Sequence, residues 1–284
     1  MPKQAKTQLQ EHYVEKKRLS SYTIQKTGGY DMARTLLKYS LFILSLQILA
    51  GCGPAPEPTV LEEWGLGREE SRHVSLNRDY DWYVDQYEEL LGHQYNDGPA
   101  CAVMAAKWVN ANFSQSLSDA RGTNLSNGFG YIGRWRFADI QTYLNANDIP
   151  SRFDYDISLP YITEHLDNGN ILIVYITTWS ILLNNKEEQR TGKYYSSFSG
   201  RRLNITAARA SSRHFIILKG YRIVDGKTYF EVYDPYGAWR YADGAPKGQD
   251  RYYLADEVIN GMENVDAFYG SEDIDHYLVI SARQ

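Results

Sequence analysis

Two apolar runs rich in β-formers, His214–Val224 ("HFIILKGYRIV") and Lys227–Pro235 ("KTYFEVYDP"), are joined at Asp225-Gly226. Asp-Gly between such runs is a strong hairpin signal, because the tight turn needs positive φ angles that Asp and Gly adopt at small cost. A third run, Asn170–Trp179 ("NILIVYITTW"), is apolar and β-branched and predicts a central strand. "HYLVISA" predicts a last strand that closes the chain. Ahead of these runs the apolar period is helical. Pro99–Phe113 has proline near its first position, Arg136–Ala146 puts Ile140, Tyr143 and Leu144 on one face, and Pro160–Leu166 is a shorter segment of the same kind. Short helices are also expected within Asp79–Gly92 and Leu254–Met262. "SLSDARGTNLSNGFGYIGRW" and Asn184–Ser212 read as loops. Helices first and antiparallel strands later predict one α+β domain in two lobes, from about residue 76 to the end.

The hairpin turn fixes which side chains can meet. A strict two-residue turn at Asp225-Gly226 would put His214 and Asp234 on opposite faces of the sheet. A three-residue loop or a single bulge returns them to one face. If the two residues act together, such a departure is required.

The chain has 284 residues and a net charge of −5, with its charges scattered. No basic face marks it as a nucleic-acid binder. No His/Cys/Asp cluster has zinc or calcium spacing and no glycine-rich phosphate loop follows a strand, so neither metal nor cofactor is expected.

The N-terminal part has its own logic. From Met32, Arg34 and Lys38 precede an apolar run, Tyr39–Leu49, and small residues Ala50 and Gly51 lead to Cys52. A positive region, a short apolar core and small residues form a secretory signal rather than a membrane span. "LAGC" resembles the lipobox of bacterial lipoproteins, which implies removal of residues 32–51, lipidation of Cys52 and export to the cell envelope. Gly53 in place of an inner-membrane retention aspartate favours the outer membrane by the same resemblance. Residues 1–31 are polar, have no place ahead of a signal, and read as a non-native extension. Residues 52–75, rich in Pro, Gly and Glu, read as a tether. With Cys52 consumed by lipid, Cys101 has no disulfide partner inside the chain and is a thiol of interest.

Three groups then stand in a suggestive order. Cys101 lies near a helix N-terminus, where the helix dipole lowers a thiol pKa. His214 opens one strand and could serve as base and acid. Asp234 ends the next and could orient the imidazole. Each also has an ordinary reading: Cys101 as core packing, His214 at a strand end, Asp234 starting a turn. His93, beside the helix start, could line a cleft. His276 opens the last strand, but no acid-bearing strand follows it.

"HFIILKGY…YFEVYDPYG", "GPACAVMAAKW" and "GNILIVYIT" together resemble the papain-like cysteine peptidases related to bacteriocin leader processing, over about residues 80–282. The resemblance implies a papain-like two-lobed α+β domain, its nucleophile helix packed on an antiparallel sheet. It also implies an oxyanion-stabilising glutamine, matched here by Gln94. In the family, cysteine immediately precedes Gly-Pro; here Asp97 holds that place, and Met104 falls where the family often has methionine. Asp97 is therefore an N-cap, or the mark of a site without its thiol, or the neighbour of a nucleophile moved one turn to Cys101. Positions 97 and 101 share a helix face about 6 Å apart along the axis. Gln94 precedes Cys101 by seven residues, near papain-like spacing, and Asp97 by only three.

The reading that follows is a lipid-anchored exported cysteine peptidase acting on a peptide or protein substrate, with Cys101, His214, Asp234 and Gln94 as its site. Two alternatives stay open. One is a catalytically inactive, peptidase-like binding protein. The other is a different Cys-His-Asp acyl-transfer enzyme, such as a transglutaminase-like protein or a cell-wall amidase.

Overall fold

A computed structural model describes residues 57–88, 95–122, 134–181, 189–191, 213–237, 240–266 and 277–282. The extension, the signal segment, Cys52, His93, Gln94 and His276 lie outside the described residues, as does most of the Asn184–Ser212 excursion. Among the described residues no helix is long and apolar enough to cross a membrane.

The elements follow in chain order. Helix α1 is Val60–Glu63 and strand β1 is Glu70–Ser75. Helices α2 (Asp97–Val109), α3 (Leu117–Gly122) and α4 (Phe137–Ala146) come next. Then follow β2 (Ser151–Asp154), α5 (Leu159–Asp167), β3 (Asn170–Thr177), β4 (Arg213–Val224) and β5 (Lys227–Tyr233). Strand β6 (Arg251–Leu254), helix α6 (Ala255–Asp266) and β7 (Tyr277–Ser281) complete the series.

All strand pairs are antiparallel, in the order β2-β7-β3-β4-β5-β6. β1 pairs with the second half of β4, beyond the stretch that β3 covers. The period-two alternation of β3 explains its unbroken apolar sequence. Ile171, Ile173 and Tyr175 face a core shared with α2, α3 and α4, while Leu172, Val174 and Ile176 face a second core shared with α5 and α6. The result is an α+β fold with a helical group, α2 to α4, on one face of an antiparallel sheet.

Three expectations change. The domain starts at Pro58, not near residue 76, because part of the supposed tether is folded. Thr59 caps α1 through a capping box with Glu62, and β1 adds a strand to the sheet. The described part of Asp79–Gly92 is not helical, whereas Leu117–Gly122 is helical although read as loop.

The hairpin carries the required departure. Asp225 and Gly226 have φ of 49° and 73°, as a tight two-residue turn demands. Val224 pairs with Lys227 and Gly220 with Glu231, but the register then shifts, so that Leu218 pairs with Val232 and Ile217 with Tyr233. Lys219 is the extra residue. This single bulge puts His214 and Asp234 on the same face.

Candidate active site

Helix α2 is buried nearly all round. Ala100, Cys101, Ala102, Val103, Met104, Ala105 and Ala106 are all inaccessible. Its small side chains allow close approach, most of all at Gly98, where a Cβ would stand 3.0 Å from Trp135 Cβ and 3.4 Å from Phe215 Cδ2. That contact brings the first turn of α2 against the start of β4.

Asn96, not Asp97, is the N-cap, and its side chain makes no capping hydrogen bond. Instead its Nδ2 donates to the Gln86 carbonyl at 3.1 Å and its Oδ1 accepts from Arg121 Nε at 2.8 Å. Asp97, the first helical residue, turns its carboxylate towards β4. Its Oδ2 accepts the Phe215 backbone N–H at 3.2 Å and lies 3.5 Å from His214 Nδ1. Its Oδ1 is buried with no hydrogen-bond partner among the described residues.

His214 bridges two acids. Its Nε2 is 2.8 Å from Asp234 Oδ1. Asp234 is fully buried and thoroughly held: Oδ1 also accepts the Tyr236 backbone N–H at 2.8 Å, and Oδ2 accepts the Tyr253 hydroxyl at 2.6 Å. Arg251 Nη1 stands 3.8 Å from Oδ2. The Asp234 backbone is fixed as well, its N–H donating to the Gly248 carbonyl at 2.8 Å and its carbonyl accepting the Tyr83 hydroxyl at 2.9 Å.

The electrostatics follow from this geometry. Burial disfavours a charged imidazole, but Asp234 and then Asp97 outweigh it and raise the His214 pKa to about 9. Burial likewise opposes ionisation of Asp97; its hydrogen bond and charge pairing with His214, aided by Arg134, hold its carboxyl below the ordinary value. Arg134 itself donates to the Tyr175 hydroxyl and to the Arg213 carbonyl, both at 3.2 Å. With a carboxylate at each ring nitrogen, the site favours the protonated form of His214.

The structure thus brings His214 and Asp234 together, and the group at the other ring nitrogen is Asp97. Cys101 is placed otherwise. One helical turn deeper, it lies in the α2–α4 core at 0% exposure. Burial pushes its thiol well above the usual range, and the negative charges of Asp97 and Asp234 push it further. A nucleophilic thiol needs the reverse: access and a positive neighbour. Position 101 is thus enclosed by the core, and the side chain that meets the second ring nitrogen of His214 is Asp97. Asp97 is not the N-cap.

Several site residues carried no sequence signal of their role. Tyr253 and Arg251 lie on a four-residue strand too short to show a period, and Tyr83 lies in an irregular segment. Arg134 belongs to the end of "SLSDARGTNLSNGFGYIGRW", which reads as a loop. Among the described residues no group of three or more His, Cys, Asp or Glu side chains could hold a metal ion.

No protein-family model matches this chain. No curated protein matches it either. Among solved structures, it is similar to a Bacillus anthracis protein assigned as a C39-like peptidase, with 12% identity and a TM-score of 0.44, over 76% of this chain and all of that one.

Proposed function

We propose that this is a peptidase-like protein of the bacterial cell envelope, anchored through lipid on Cys52, that binds peptide or protein segments without thiol-dependent hydrolysis. One observation carries the reading. The residue facing His214 Nδ1 is Asp97, at 3.5 Å, and the thiol lies buried in the core. A thiolate–imidazolium pair can switch roles during acyl transfer, because the proton it shares moves to the leaving group. A carboxylate–imidazolium–carboxylate triad holds its proton tightly instead. In this reading Asp97 occupies the place where a thiol-dependent site would need its nucleophile.

The test is thiol reactivity. In the native wild-type chain, fluorescent iodoacetamide at mildly acidic pH should leave Cys101 unlabelled, with peptide mapping used to separate it from Cys52. Asp97→Cys should gain labelling at position 97 that Cys101 lacks, slowed by the burial of that position, and adding His214→Ala should slow it by at least about a further tenfold. Fast, His214-dependent labelling of Cys101 in the wild type would restore the thiol-peptidase reading and sink this one.

A further inference from the structure

The bulge that aligns His214 with Asp234 is built around a buried charge. Lys219 is the extra residue on β4 and is fully inaccessible. Its Nζ lies between Glu231 Oε1 at 2.5 Å and Asp250 Oδ1 at 2.7 Å, and 4.7 Å from the centre of the Tyr233 ring. Asn77 Nδ2 donates to the same two acids, at 3.4 Å and 3.2 Å, and His73 Nε2 stands 3.6 Å from Glu231 Oε2. The Lys219 carbonyl accepts the Leu76 N–H at 2.8 Å. The next residue must be glycine, since a Cβ on Gly220 would lie 2.2 Å from the Val74 carbonyl oxygen of β1.

A lysine is an expensive choice for this position. An apolar side chain would fill the same space without desolvating an ammonium, so burial alone does not account for it. What the charge adds is register. Glu231 sits at the point on β5 where the pairing shifts, and Asp250 immediately precedes β6. Moving the bulge by one residue along β4 would strand the ammonium away from both acids, a strongly penalised arrangement. Holding register is the best-supported use of a buried ionic group. The two strands gripped in this way carry the dyad acid and its supports. β5 leads directly into Asp234, and β6 contributes Arg251 and Tyr253, whose hydroxyl donates to Asp234 Oδ2.

We propose that Lys219, caged by Glu231 and Asp250, is a positioning residue: it locks the one-residue bulge that turns His214 and Asp234 to the same face and holds them in hydrogen-bonding contact. It contacts neither the His214 ring nor the Asp234 carboxylate and acts through the register of the hairpin.

The readout is the proton affinity of His214, followed by NMR of its imidazole in the full chain as pH is raised. Two effects of removing Lys219 have opposite signs. Loss of a positive charge alone favours the imidazolium and moves the titration midpoint up. Loss of alignment with Asp234 moves it down. Lys219→Met and Lys219→Gln should both remain folded and lower the midpoint by at least about one pH unit, a tenfold loss of proton affinity. Lys219→Arg, which keeps the charge but brings a larger planar group, should lower the midpoint less than either neutral variant. An unchanged or raised midpoint in folded Lys219→Met overturns the proposal. So does failure of both neutral variants to fold, because the lysine would then be a stability element and not a positioning one.

Discussion

Replacing Asp97 by asparagine isolates the unusual member of the triad. The amide keeps the size of the side chain and an oxygen for the Phe215 N–H, and it removes only the charge facing His214 Nδ1. In the wild type, His214 titrates at about 9 in the folded chain against 6.5 when unfolded. A raised histidine pKa contributes stability that is fully present below about 6.5 and is lost as the pH rises through about 9. At about 1.4 kcal/mol per pKa unit, that contribution is on the order of 3 kcal/mol. Asp97 supplies part of it and Asp234 the rest, with Asp234 the closer partner.

Asp97→Asn should therefore destabilise the protein by about 1.5–3 kcal/mol at pH 6, the range for a hydrogen bond to a charged group. It should also lower the His214 midpoint, so that the alkaline loss of stability begins at lower pH. At pH 10 the sign of the comparison becomes informative. The imidazole is then neutral, and wild-type Asp97 is a buried carboxylate left with only the more distant Arg134 as counter-charge, whereas the amide has no charge to strand. The gap between the two proteins should close or reverse. Urea unfolding at pH 6, 8 and 10 measures it directly. A deficit that stays constant across that range would show that Asp97 acts through shape alone and would refute the charge-coupled triad.

Two further substitutions probe the frame around the site. Gly220→Ala must move the β1 backbone, since its Cβ would lie 2.2 Å from the Val74 carbonyl oxygen, and should cost about 2–4 kcal/mol in urea unfolding; a loss under about 0.5 kcal/mol would mean that β1 is not held against the bulge. Tyr253→Phe removes the 2.6 Å hydrogen bond to Asp234 Oδ2 and should cost about 1.5–3 kcal/mol near neutral pH, whereas wild-type stability in this variant would place the support of Asp234 elsewhere.

Much of the fold was legible because it depends on strong local signals. The Asp-Gly turn, the apolar run of β3 and the helical periods of α2 and α4 each bury a continuous face, and burial writes a pattern into sequence. The need for a bulge was legible too, as a parity condition on His214 and Asp234, although nothing in the local sequence marked Lys219 as its place. What escaped had weak patterns. β1 is mostly exposed and reads "ESRHVS", so it shows no alternation to separate it from a tether. α1, α3 and β6 span only four to six residues, less than two helical turns and too short for a strand period to show.

The site shows the same limit at its most consequential point. Sequence puts positions 97 and 101 on one face of α2, and helical geometry separates them by about 6 Å along the axis. Which of the two meets His214 depends on how far the helix slides along the sheet. That depth is set by long-range contacts, the close approach of Gly98 to Trp135 and Phe215 and the hydrogen bond from the Phe215 N–H to Asp97. No local pattern encodes it. The glutamine spacing that favoured Cys101 concerns distance along the chain, whereas reactivity depends on exposure and on the neighbouring charge. On both counts position 101 is unsuited, being enclosed by the core and faced by two carboxylates. Of the two positions on that face of α2, it is Asp97 that stands 3.5 Å from His214 Nδ1, while Cys101 is held away from it in the core.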